Sequence, residues 1–172
     1  MTDSTVRPGA GHAWGHYQTL RFLLPLPHPV DRVWQAVATP EGLPGWLAAA
    51  EVLEPRLGGA VTLRCLSGGG LPEEAAVVTG RVTAWDVWRV AEYTVAPYHG
   101  RVRFHLEPTG PDATALRFTN EFKGGAAMRL DALAGWHQHF EYLREALDGR
   151  APDWSTWTLD RWRQLRDAYA EG

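Results

Sequence analysis

Residues 124–149, GGAAMRLDALAGWHQHFEYLREALDG, decide the fold. Leu133, Trp136, Phe140, Leu143 and Leu147 follow one another in steps of three and four, which puts them on one face of a helix. Gly124 and Gly125 punctuate its start, and Gly149 stands where a C-terminal cap belongs. At about 1.5 Å per residue this helix runs roughly 30 Å, the width of a small domain. Most of the chain before it reads as strands. A long late helix after many strands implies a curved sheet gripping that helix, with room for a cavity between them.

Moving outward from the helix, TALRFTNEF (114–122) and RVRFHLE (101–107) read as strands on either side of the turn signal Pro108-Thr109-Gly110-Pro111-Asp112. A strand has period two, so Val102, Phe104 and Leu106 share the face toward the helix, as do Leu116, Phe118 and Asn120. Asn120 therefore points inward among hydrophobic neighbours. Val78, Gly80, Val82 and Ala84 oppose Thr79, Arg81 and Thr83 in the same way. In VWRVAEYTV (87–95) the parity is ambiguous. Either Trp88, Val90 and Glu92 face in, or Arg89, Ala91, Tyr93 and Val95 do, and the Tyr93 set is preferred. Strands from Glu51 onward, AVTLRCLS after Gly58-Gly59, a loop at Gly68 to Pro72 and the long AAVVTGRVTAW complete a six-strand antiparallel meander.

YQTLRFLLPL (17–26) is a first strand that ends at Pro25 and Pro27. His28-Pro29 opens a helix with Val30, Val33, Trp34 and Val37 on its apolar face. Thr39-Pro40 caps a second short helix ending near Trp46-Leu47. Residues 1–16 show no period and read as a flexible N-terminal arm, with His12 and His16 as solvated side chains rather than metal ligands. Residues 17–150 form the main domain, and 151–172 form a tail. In the tail Leu159, Trp162, Leu165 and Tyr169 keep helical spacing, Thr158 can cap, and Trp154 and Trp157 anchor it to the body.

A length of 172 residues suits one core with tails, and a net charge of −3 argues against nucleic acid as a partner. No apolar run approaches the length of a membrane span. The first residues lack the pattern of a signal peptide, and a lone Cys65 excludes an intramolecular disulfide, so a cytoplasmic location is expected. Nine tryptophans exceed what so short a core needs and suit the walls of a pocket.

The order strand, two short helices, six-strand meander, long helix resembles the helix-grip fold of the START and birch-pollen-allergen (SRPBCC) superfamily, an α+β class. PHPVDRVWQAVATPEGLPGWL, Gly58-Gly59 before a strand, GRVTAWD, VRFHLEPTGPDATALRF and AGWHQHFEYLREALDG look like the bacterial branch related to the activator of the Hsp90 ATPase. The matching positions are Trp34, Trp46, Gly59, Gly80, Phe104 and Trp136. The resemblance spans roughly residues 18–152 and implies a cavity that accepts an apolar or amphipathic small molecule. Its relatives often carry His where this chain has Asn120. An amide can orient a ligand but cannot act as a base near neutral pH.

No catalytic residue, metal set or cofactor motif emerges. Gly68-Gly69-Gly70 lacks the lysine of a phosphate loop. His137 and His139 point about 200° apart on a helix and read as partly exposed margin residues. Cys65 reads as a small core residue. The ligand-binding set is Trp46, Glu92, Tyr93, Phe104, Phe118, Asn120, Trp136 and Phe140, with His99 and Tyr98 at a strand-end loop. The expected function is binding a small hydrophobic or aromatic ligand. The alternatives are an enzyme of cyclase, hydratase or hydrolase type on the same scaffold, and a chaperone cofactor or protein-interaction module. A homodimer and a protein partner both stay open.

Overall fold

The computed structural model describes residues 6–67, 76–96 and 99–172. Eight strands form one antiparallel sheet: β1 (Ala10–Trp14), β2 (Tyr17–Leu26), β3 (Ala48–Leu53), β4 (Ala60–Cys65), β5 (Val77–Asp86), β6 (Val90–Ala96), β7 (Gly100–Gly110) and β8 (Ala113–Lys123). Their spatial order is β1-β2-β8-β7-β6-β5-β4-β3. Strands β3 to β8 are the meander, and β2 pairs with β8. Helix α1 (Val30–Ala38) and a 3-10 turn at Leu43–Gly45 carry the chain across to the far edge. The long helix α2 (Ala126–Leu147) lies against the inner face, and α3 (Asp160–Glu171) packs on α2. This is the α+β helix-grip architecture.

Period two sets which side chains are inside. In β2, Gln18, Leu20, Phe22, Leu24 and Leu26 are buried and their neighbours are not all so. The register places Phe22 opposite Phe118 and Phe118 opposite Phe104, so three rings cross the sheet in one row. From α2, Leu133, Phe140, Leu143 and Leu147 are buried over them. Gly149 takes φ +87°, a left-handed conformation that needs no Cβ, and this ends the helix.

Several local expectations change. Residues 10–14 are a strand: all five are exposed, yet their backbone pairs with β2 from Ala10 opposite Arg21 to Trp14 opposite Tyr17. An edge strand wet on both faces has no apolar alternation, so its pattern is silent in the sequence. The arm is tied further by buried Val6 and by Gly9, whose N–H donates to the Tyr169 hydroxyl at 2.8 Å. A Cβ on Gly9 would stand 2.4 Å from the Phe22 ring, so only glycine lets the chain cross there. The second short helix contracts to the 3-10 turn because Pro44 has no N–H and Gly42 and Gly45 flank it. Thr39 does not cap that turn, whose N-cap is Gly42; its Oγ1 accepts from Gly42 N at 3.0 Å in the link after α1. A bulge between Val82 and Ala84 flips the parity of β5: Ala84 lies opposite Glu92, and Trp85 turns inward onto Trp34 at 5.1 Å. Residues 87–89 form a turn, so β6 begins at Val90. The Gly68–Pro72 loop and Tyr98 lie outside the described residues.

The tail docks on the body. Arg166 pairs with Asp131 at 2.6 Å, Arg161 with Glu141, and Trp154 Nε1 donates to the Pro44 carbonyl at 3.1 Å. No helix among the described residues is long and apolar enough to cross a membrane.

Candidate functional site

Two residues along from the phenylalanine row, the same three strands carry Leu20, Asn120 and Val102, followed on β6 by Tyr93. On β2, β8 and β7 side chains shrink from one row to the next, while on β6 Ala91 gives way to Tyr93. The facing part of α2 is also small, with Ala132 and Gly135. A cavity of about 400 Å³ opens here between sheet and helix. Its far wall is the alternating set Val61, Leu63 and Cys65 of β4, with Leu43, Leu47 and Ala48 closing one side. The lining is mostly apolar and the size falls within the range of small-molecule sites.

On α2 the lining residues are Met128, Asp131, Ala132, Gly135, Trp136 and His139. These positions form a stripe of their own, about 100° round the helix from the Leu133–Phe140–Leu147 stripe. One face of α2 thus builds the core, and the adjacent face builds the cavity.

The polar groups at the cavity are few, and most are already occupied. Tyr93 donates its hydroxyl to the Val37 carbonyl at 2.9 Å, and burial raises its pKa above the usual tyrosine value. Asn120, 2% exposed, gives both amide hydrogens to the protein: to His99 O at 2.7 Å and Arg101 O at 3.0 Å. Its Oδ1 accepts from Trp136 Nε1 at 3.2 Å. Asn120 therefore fixes the His99 turn and the Trp136 indole. Cys65 Sγ lies 3.0 Å from Ser67 Oγ. Asp131 is held at the rim by Arg166.

The histidines are different. His139 Nδ1 is 2.9 Å from the Trp46 carbonyl. A carbonyl only accepts, so Nδ1 carries the proton. Burial lowers the His139 pKa, and neighbouring His99 lowers it further, against an upward push from that carbonyl. His99 stands at the mouth, open to solvent yet crowded enough for its pKa to fall as well. His137 turns the other way, buried beneath α3, with Nδ1 2.7 Å from the Tyr169 hydroxyl. His137 is not the partly exposed margin residue that the stripe alone implies, because α3 covers it, whereas His139 is half-buried beside the Trp46 turn.

Of the expected binding set, Tyr93, Asn120 and Trp136 line the cavity. Trp46, Phe104, Phe118 and Phe140 instead form the filled ring cluster beside it: Phe118 and Phe140 have centroids 4.9 Å apart, Phe104 and Phe118 5.3 Å. Trp46 still shapes the site, because its indole N–H donates to Ala36 O and its own carbonyl holds His139. Glu92 does not belong. Ala91, Tyr93 and Val95 face inward, so Glu92 lies on the outer face. It is 5% exposed there, accepts from Thr83 Oγ1 at 2.7 Å and pairs with Arg103 at 3.1 Å. Sequence reasoning missed His139 and placed Cys65 in the core rather than on the cavity wall. The spacing Met128, Ala132, Trp136, His139 was the available signal for the first.

A family model described as "Activator of Hsp90 ATPase homolog 1-like protein" matches residues 27–148. The chain belongs to this family. Folds of the family commonly bind hydrophobic ligands. No curated protein matches the sequence. Among solved structures, the conserved protein of unknown function EF2215 from Enterococcus faecalis superposes with a TM-score of 0.74 at 16% identity, over 95% of this chain and 88% of that one. CalU16 from Micromonospora echinospora gives 0.73 at 16% identity, over 99% and 97%. The protein encoded by BPP1335 of Bordetella parapertussis gives 0.68 at 25% identity, over 99% and 95%. At 16% identity the first two likenesses speak for the fold alone.

Proposed function

We propose that this protein binds a small hydrophobic or aromatic molecule between its sheet and α2. The observation that supports this reading is the cavity of about 400 Å³ with an apolar lining, beside a core packed tightly with rings. Affinity would come from burying apolar ligand surface, at roughly 25 cal/mol per Å². Trp136, held by Asn120, would offer a fixed indole to stack on.

The test uses the neutral fluorescent probe N-phenyl-1-naphthylamine. It should bind the unsubstituted protein and lose at least tenfold in affinity in Ala132→Phe, whose ring fills the cavity. Circular dichroism should be unchanged. Equal probe affinity in the two proteins overturns the reading.

A second reading, an enzyme on the same scaffold, draws on one observation. His139 is a half-buried imidazole at a cavity with its pKa lowered chiefly by desolvation, which suits a general base. It calls for a ligand recovered chemically changed after incubation, with the change abolished in His139→Phe. Recovery of an intact ligand would remove it.

A further inference from the structure

Inside its mouth, where the exposed His99 ring stands, the cavity wall is apolar except for one ring acceptor that the protein leaves open. Nδ1 of His139 is committed to the Trp46 carbonyl, so the ring's remaining nitrogen, Nε2, carries a lone pair. Nε2 makes no hydrogen bond to any described residue. Among the described residues no fully enclosed side-chain nitrogen or oxygen lacks a partner. An unpartnered Nε2 is therefore not fully enclosed, and the cavity is a space that its ring borders. The ring cannot swing freely to find another partner: besides Trp46 it is flanked by Trp136, Tyr142 and Trp154, with centroids 6.0–6.4 Å away. Tyr93 and Asn120 spend their donors on backbone carbonyls, Asp131 pairs with Arg166 at the rim, and the His99 ring stands at the exposed mouth.

We propose that the cavity selects molecules carrying a hydroxyl on an apolar aromatic body, and that His139 Nε2 accepts that hydroxyl's hydrogen bond. This inference rests on the binding function proposed above and names its ligand class. A ligand lacking the donor covers Nε2 without pairing it, and that asymmetry is the source of selectivity. A carboxylate ligand is disfavoured, because its oxygens would face the lone pair and the Asp131 rim.

The experiment compares 2-naphthol, 2-methoxynaphthalene and naphthalene as competitors of N-phenyl-1-naphthylamine near neutral pH, in the unsubstituted protein and in His139→Phe. In the unsubstituted protein 2-naphthol should bind about tenfold more tightly than 2-methoxynaphthalene. In His139→Phe the ratio should fall close to one while naphthalene still competes. If naphthalene and 2-methoxynaphthalene compete as well as 2-naphthol in the unsubstituted protein, the cavity function stands and the hydroxyl selectivity is overturned. Preference for 2-naphthol that persists in a folded His139→Phe overturns the assignment to Nε2. If none of the three displaces a bound probe, the proposed ligand class is overturned while the binding function stands; if the probe itself does not bind, the binding function fails and this inference falls with it. The comparison within the unsubstituted protein decides the selectivity even where the variant fails to fold.

Discussion

Two neighbouring rows of one sheet behave as different materials. Phe22, Phe118 and Phe104 stand side by side across β2, β8 and β7, and α2 drops Phe140 onto them. About 7 Å along the same strands, Leu20, Asn120 and Val102 stand in the equivalent places, and α2 answers with Ala132 and Gly135. The first row closes into a dry core. The second leaves about 400 Å³ unfilled. Strand pairing is the same in both rows on β2, β8 and β7, so on these strands side-chain volume separates core from cavity. Asn120 and Trp136 form the boundary: their mutual hydrogen bond keeps the indole from collapsing into the void.

The largest effect that sharpens this contrast is expected from Phe140→Ala. It removes a fully buried ring from the filled row and should cost about 3–5 kcal/mol in denaturant unfolding. A loss under 1 kcal/mol would mean the row is not the packed core described here. Asn120→Ala should follow at roughly 1–3 kcal/mol, because Trp136 Nε1 and the His99 carbonyl lose their partner. Its tryptophan emission should also shift as the indole is released.

Proton linkage acts next. His137 and His139 are held below the usual histidine value of 6.5, chiefly by burial. The native state then refuses protons that the unfolded chain accepts, so stability present above that value falls as pH drops below it. Tyr93 runs in the opposite direction. Burial raises its pKa, the unfolded chain releases its proton first, and stability falls as pH climbs past the usual 10.0. Melting temperature against pH should therefore form a dome, and a melting temperature that stays flat below pH 6.5 would break the account of both histidines.

The smallest stability change is expected on the open side. Ala132→Phe adds a ring where space already exists, so it should alter stability by less than about 1 kcal/mol while abolishing probe binding. A comparable loss in both properties would show that the second row is packed after all. Glu92→Ala, on the outer face, should leave probe affinity unchanged, and a changed affinity would return Glu92 to the cavity.

Sequence periodicity carried the meander, the long helix and the inward set of β7 and β8, because a repeat of two or 3.6 follows from backbone geometry and survives in any context. It carried Asn120 inward for the same reason. It did not carry β1, since a strand exposed on both faces leaves no apolar period. Nor did it carry the β5 bulge, since one extra residue depends on what the partner strand requires. Family likeness implied a cavity, but not which aromatics fill the interior and which bound a space.

By itself, then, the chain determined the helix-grip order and the faces of its elements, because local spacing fixes where each side chain points. Only the tertiary structure decided that His139 faces a void, that His137 lies under α3 and that Asn120 is spent on His99 and Trp136. Those outcomes depend on residues far apart in sequence meeting at hydrogen-bond distance, Trp46 with His139 and Tyr169 with His137, and no local period encodes such meetings.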